Sequence, residues 1–419
     1  MNDYLNELII CDDASDVELN NWGIYTEKSC TDASLISMKW IDLLWHISNG
    51  LHTHLNAKVS YVPNKSRRER KNSCNGCNNE VFAPIINGEK EDLVIAVDDK
   101  VLKDKLFSGK VEKHVLTTEL AVTVANYHSV GVRCVEQEVF DLMKNTQLPH
   151  NAWFNIMPCL VSAVTKYPLE LSTIYAEVSD DVKKDYFQLI DRTPVSHLSA
   201  MLSSMQSSIK AYVAEAQANG IKEVLVYPFI NQGPLAGATQ PRLHAQAYIE
   251  LTQSGHDISY EGLLLSFHNK PCHLCSSTHG DRVLYENDYW SIWLTSAPMR
   301  DFQLRFAPKN HVERFIDLTK PQVEGLADVL KIGNKVLSRL GVTNHRNIVF
   351  RTLHSGYETE FHFFGEVLPY QSGGGFEEAG EIRVAYVNPS EAAIQTREAL
   401  KNLHDNGFDT NDYNYKQKE

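Results

Sequence analysis

The chain has 419 residues and a formal net charge of −13 at pH 7. That length gives about two to three domains, or one large one, with enough residues to bury a sizeable core. The acidic balance argues against a nucleic-acid backbone as the main partner, and no apolar run approaches the roughly 18 residues of a membrane span. The opening MNDYLNELIICDDASDVELN is acidic and mixed, does not read as a signal peptide, and makes a cytoplasmic location the default expectation.

Residues 1–60 form an N-terminal appendage in this reading. Ser34–Leu51 has helical apolar spacing through Leu35, Met38, Ile41, Leu44 and Trp45, and predicts a packing helix. Tyr61–Lys71 is a basic run, usually a solvated turn. Two C-x-x-C pairs follow, Cys74 with Cys77 and Cys272 with Cys275, among eight cysteines. In a chain without a secretory signal such pairs favour metal or redox roles over structural disulfides.

The two pairs open similar series. After the first, His197 precedes a helix predicted over Ser199–Ala218 and stopped by Gly220. A strand over Val224–Phe229 and a second over Leu243–Leu251 come next. After the second pair, His311 precedes a helix over Lys320–Leu340, stopped by Gly341. Strands over Asn347–Thr352 and Phe361–Leu368 then parallel the earlier two. This order predicts an internal duplication of one α+β unit.

Val224–Leu251 carries the densest chemistry. The loop between its strands holds Asn231, Gly233, Gly237 and Thr239, residue types that bend the backbone and offer N–H groups to a ligand. Beyond it the pattern alternates. Leu243, Ala245, Ala247 and Ile249 share one face; Arg242, His244, Gln246 and Tyr248 share the other. An imidazole, an amide and a guanidinium pointing one way beside such a loop suit a phosphoryl group attacked by histidine. Later, Gly373-Gly-Gly-Phe-Glu377 reads as a glycine turn, and 402–419 as a polar, frayed tail.

The Asn-x-Gly, Ala-Gly-Ala-Thr and Leu-His-Ala-Gln segments resemble the active-site stretch of the galactose-1-phosphate uridylyltransferase family, a branch of the histidine-triad superfamily. The resemblance implies an α+β fold of two histidine-triad-like halves, placed at 61–265 and 266–401. It also implies a nucleotidyltransferase or phosphorylase acting on a nucleotide sugar, with sugar phosphate or phosphate as the second substrate. His244 becomes the nucleophile and Gln246 its phosphate-binding partner. Asn231, Gly237 and Thr239 are assigned to the phosphates, Arg67 and Arg70 to nucleotide phosphate, and Glu377 to the sugar or acceptor. Zinc is implied at Cys272, Cys275, His311 and His362, and at a first-half site of Cys74, Cys77 and His197. Arg242 stands where that family has a zinc-ligating histidine. A guanidinium does not ligate zinc, so Arg242 is read as a lost ligand or a gained phosphate contact. His128 is a decoy with some claim on the first-half site, and His268, His273 and His279 are read as bystanders. Val135–Val182 exceeds the family pattern and is expected to be an inserted segment of helical character. A homodimer is implied. The alternatives are a hexose-1-phosphate uridylyltransferase proper, a dinucleoside polyphosphate phosphorylase or hydrolase, and a non-catalytic nucleotide-binding regulator.

Overall fold

The computed structural model describes residues 48–51, 58–61, 94–102, 120–125, 159–165, 189–218, 220–238, 242–250, 263–267, 271–276, 279–380 and 383–406. Ser48–Leu51 (β1) and Lys58–Tyr61 (β2) pair as an antiparallel ribbon. The remaining strands are Val94–Val97 (β3), Lys100–Val101 (β4), Ala121–Ala125 (β5), Cys159–Val164 (β6), Leu225–Gln232 (β7), His244–Glu250 (β8), Val283–Glu286 (β9), Trp290–Leu294 (β10), Leu304–Pro308 (β11), Arg346–Arg351 (β12) and Phe364–Pro369 (β13). These eleven form one sheet in the order β4-β3-β5-β6-β8-β7-β12-β13-β11-β10-β9, antiparallel throughout. The helices are Val195–Ala218 (α1), His273–Ser276 (α2), Lys320–Arg339 (α3), Gly375–Gly380 (α4) and Pro389–Asp405 (α5).

The order is symmetric about the β7–β12 seam. Outward from β7 run β8, β6, β5 and β3; outward from β12 run β13, β11, β10 and β9. Each half contributes one long helix to the same face. Leu198, Met201, Leu202, Met205 and Ile209 of α1 and Leu326, Val329, Leu330, Val336 and Leu337 of α3 lie in one core. Strand residues Ala245, Ile249, Ile348 and Val367 share it, with Phe363 just ahead of β13. The fold is thus α+β with a duplicated unit, as the sequence order implies. A matching short turn precedes each helix: Ile190–Arg192 before α1 and Phe315–Asp317 before α3. Thr319 and Gln322 then make a reciprocal cap on α3.

Alternation in β8 holds as expected. Leu243, Ala245, Ala247 and Ile249 are fully buried on the helix side. Three expectations are corrected. Cys159–Val164 is a strand inside the supposed helical insertion at 135–182, and it pairs with both β5 and β8. Its six residues are all buried because both faces are covered. Leu160 faces α1, while Cys159, Val161 and Ala163 join a second apolar cluster with Val122 and Val124. A uniformly apolar run carries no alternation to betray a strand. The described part of Ser34–Leu51 is β1, a strand rather than a helix end; the rest of that segment lies outside the described residues. Of the tail read at 402–419, residues 402–405 are helical instead, since α5 runs through Asp405 with Ala392, Ala393, Ala399 and Leu400 buried; residues 407–419 lie outside the described residues.

One close approach sets the layer spacing on the helix side. A Cβ on Gly365 of β13 would run into the ring of Phe306 on β11. Gly365→Ala is therefore expected to destabilise the fold by about 1–3 kcal/mol through overpacking, read as a lower midpoint in urea unfolding with an unchanged slope.

Candidate functional site

His244 opens β8 on the face away from the helices and is buried, at 4% exposure. Its Nδ1 lies 2.7 Å from the carbonyl oxygen of Arg242. A carbonyl only accepts, so Nδ1 carries the proton and the ring lone pair sits on Nε2. Burial pushes the His244 pKa below its ordinary value, against the opposing pull of that carbonyl bond. The carbonyl thus orients the imidazole, and burial disfavours its charged form.

The register places the loop beside it. Ile230 pairs with Ala245, so one step on, Asn231 stands across from His244. Asn347 Nδ2 of β12 donates to Asn231 Oδ1 at 2.8 Å and to Ala236 O at 2.7 Å. This one amide ties the loop from the first half to a strand of the second. Gly237 closes the loop in a left-handed conformation at φ +93. At Gly233, φ is +83 and a Cβ would strike the His345 ring, so glycine is required twice over. Gln246, next on the same face of β8, reaches Cys159 Sγ at 3.8 Å.

Arg242 is buried beside this arrangement. Its Nη1 donates to Val164 O at 2.7 Å and Thr165 O at 3.3 Å. The guanidinium therefore holds the end of β6, and its own carbonyl holds His244. Glu377 is committed as well: its carboxylate accepts from Gly374 N at 2.7 Å and Val384 N at 3.1 Å. Those N–H groups, Gly374 first, hold it below the usual carboxylate range and staple the turn that α4 begins.

A second cluster lies in the other half. The ligating atoms of Cys272, Cys275, His311 and His362 all fall within 4.8 Å of one another. His362 Nδ1 is 3.3 Å from both sulfurs, and Cys275 Sγ is 3.3 Å from His311 Nδ1. Tetrahedral bonds of about 2.1–2.3 Å to nitrogen and sulfur give ligand separations of this size. His362 Nε2 sits 3.0 Å from Pro308 O, the carbonyl partner that fixes Nδ1 as the ligating nitrogen. The residues fit a four-coordinate metal ion. His362 lies in the turn just before β13, not in the strand where the sequence places it. His273 and His279 stand aside as expected: His279 stacks on Trp293 at 3.6 Å and His273 packs on Phe267.

Superposing the halves by order reveals a division of parts. Arg242 and His362 each stand two residues before the start of an equivalent strand, and His244 and Phe364 are the first residues of those strands. The first half has arginine at the earlier of these two positions and histidine at the later; the second half has histidine at the earlier and phenylalanine at the later. His197 falls in the first turn of α1, with Nδ1 3.3 Å from Ser196 Oγ, whereas His311 stands in the turn ahead of α3. The two histidines are not in equivalent places. Arg67, Arg70, Cys74, Cys77 and Thr239 lie outside the described residues, as do His128 and His268.

No protein-family model matches the chain, and a search of curated proteins finds no relative. Solved structures do match. A uridylyltransferase aligns at TM-score 0.54 and 15% identity over 69% of this chain and 87% of that one. An ADP-glucose phosphorylase from Arabidopsis thaliana with bound ADP-glucose aligns at TM-score 0.54 and 15% identity over 82% and 95%. A GalT-like protein from Arabidopsis thaliana aligns at 0.50 and 18% over 67% and 84%. The chain has the galactose-1-phosphate uridylyltransferase-like fold. Within this fold, the sequence signal that reading by motif missed was the repeated Ile-Asp-x-Thr ahead of each long helix, at Ile190–Thr193 and Ile316–Thr319, which sets the halves in register.

The metal set gives a direct expectation. Purified protein should carry one metal ion at this cluster, and His362→Ala should lose it, as read by elemental analysis after dialysis without chelator. Retention of the ion by His362→Ala would remove the cluster as its site.

Proposed function

We propose that the chain is a nucleotidyltransferase or phosphorylase that works on a nucleoside-diphosphate sugar through a covalent nucleotidyl-histidine at His244. The observation that carries this reading is the 2.7 Å contact between His244 Nδ1 and the Arg242 carbonyl, which directs the lone pair to Nε2 on a strand facing a glycine-bearing loop. Nε2 attacks the α-phosphorus, and the bond to the bridging oxygen breaks. The electron pair leaves with the sugar 1-phosphate. A phosphate or sugar-phosphate oxygen then attacks the same phosphorus from the acceptor side and restores the imidazole. Dividing the transfer replaces one high barrier with two lower ones. Gln246 and the N–H groups of the loop around Gly237 stabilise charge on the non-bridging oxygens, with Asn231 and Thr239 at the phosphates. Arg67 and Arg70 are assigned to nucleotide phosphate. Glu377 is assigned to the sugar or acceptor, a role in which its carboxylate exchanges the Gly374 and Val384 N–H groups for hydroxyls. Arg242 acts through position, holding the turn whose carbonyl orients the nucleophile.

We assign zinc to Cys272, Cys275, His311 and His362. A closed thiolate and imidazole set of this kind supplies fold stability and leaves no position for substrate. It clamps the α2 turn to the entry of β13. A zinc at Cys74, Cys77 and His197 is part of the same reading, with Arg242 occupying the place of a fourth ligand. The halves at 61–265 and 266–401 act as one unit, in a homodimer. No helix among the described residues is long and apolar enough to cross a membrane.

Intact mass after mixing the protein separately with UDP-glucose, ADP-glucose and GDP-glucose tests the mechanism. A nucleoside-monophosphate adduct is expected on the parent and not on His244→Ala, and its mass names the base. No adduct in any mixture, under rapid acid quench, would refute a nucleotidyl-histidine formed from these donors.

The pH dependence follows from burial. A lowered His244 pKa keeps Nε2 unprotonated as pH falls through 6.5, the ordinary value. Adduct formation should therefore fall by less than half between pH 7.5 and pH 6.5 (about one unit). An exposed imidazole would lose about half its rate over that range. Quench-flow rates at both values decide between them.

A further inference from the structure

A cavity borders the site of the proposed reaction at Asn231 and Asn347 and extends from there over strands of the second half. It has a volume of about 610 Å³ and opens on the same sheet face as His244, over β7, β12, β13 and β11. Its floor is apolar and aromatic, with Tyr227, Phe229, Met299 and Phe364. Three charged side chains converge on it. Arg305 Nη2 lies 2.9 Å from Glu366 Oε1, and Arg351 Nη2 lies 3.5 Å from Glu366 Oε2. Gln303 Nε2 donates to the same Oε1 at 2.9 Å.

The charges do not cancel. Two guanidinium groups share one buried carboxylate, so one positive charge is left over. The Arg305 guanidinium lies over the Phe364 ring at 5.2 Å, and its Nε is buried without a hydrogen-bond acceptor among the described residues. His354 lines the cavity too, and its Nδ1 accepts from Val226 N at 3.0 Å. That bond leaves Nε2 as the protonated nitrogen, so His354 adds a donor and no negative charge. Arg305 and Arg351 are partly exposed, at 29% and 39%, so the surplus positive charge is open to an anion that enters the cavity.

Symmetry adds a second argument. Phe364 stands where His244 stands in the first half, and Glu366 where Gln246 stands. The nucleophile position has become an aromatic wall, and the neighbouring amide a carboxylate that gathers two arginines. A mostly apolar pocket of this size with a few convergent polar groups is the common form of a small-molecule site. We propose that this cavity is a second, non-covalent binding site for a small aromatic-ring anion of the nucleoside monophosphate class. The ring packs against Phe229 and Phe364, and the anion meets Arg305 and Arg351. Its charged groups, Arg305, Arg351 and Glu366, lie on β11, β12 and β13, and none of them is assigned to the chemistry at His244.

Equilibrium dialysis of the full chain against AMP and UMP tests it, with Arg351→Met and Val349→Trp as variants. The first removes one guanidinium and leaves the Arg305–Glu366 pair. The second fills the cavity from β12 and changes no charge. Each variant is expected to weaken uptake by about tenfold or more, with unfolding midpoints near the parent's. Adenosine and inorganic phosphate should each bind the parent less tightly than AMP, since each supplies half of the ligand. The His244 adduct, read separately by mass, should form in both variants as in the parent, so failure of either proposal leaves the other intact. The inference is overturned if the parent takes up neither nucleotide, or if either variant binds as the parent does.

Discussion

The antiparallel pairing of β7 with β12 is the constraint on which the rest of the structure depends. It joins two α+β units edge to edge, so that neither unit keeps an exposed central strand. It also fixes which side chains look away from the helices. Asn231 faces Asn347 and Phe229 faces Val349 across that seam. A slip of one residue would send Ile230 and Ile348 out of the core and turn the asparagines inward. Because both isoleucines are fully buried beneath α1 and α3, the register has a strong hydrophobic reason to hold. The loop beside His244 inherits its position from that register.

On this frame the two halves have diverged by exchange of single side chains. Two positions at the entries of β8 and β13 carry the difference: Arg242 and His244 in the first half, His362 and Phe364 in the second. In the first half the arginine ties its segment to the end of β6 through carbonyls. In the second, sulfur and imidazole groups are grouped at the spacing of a metal site. Each half thus gathers polar groups at the entry of a central strand.

Much of this was legible from residue spacing. The alternation from Arg242 to Tyr248 specified which face His244 would share, while the four residues of the cluster at Cys272 came from the resemblance to the uridylyltransferase family. Helix ends at Gly220 and Gly341 were legible because a left-handed stop has few alternatives to glycine. Cys159–Val164 was not, since a strand covered on both faces has no period to read. The cavity was also hidden. Arg305, Arg351 and Glu366 come from three separate strands, and each is an ordinary charged residue in its own segment. Only the sheet order brings them together. Glu377 shows the opposite case: its motif was visible, but not that its carboxylate would close its own turn.

The bond from Asn347 to the loop has a consequence for how this chain can change. The second half has Phe364 where the first has His244, so its strands carry no counterpart of that imidazole. Yet Asn347 sits on one of those strands and holds both Asn231 and the Ala236 carbonyl. Drift in the second half is therefore limited by a duty performed for the first. Its outward-facing residues near β12 are bound to the neighbouring loop, while those farther out on β9 and β10 are free of it. The two copies share one inheritance at the seam and have separate ones at the rims.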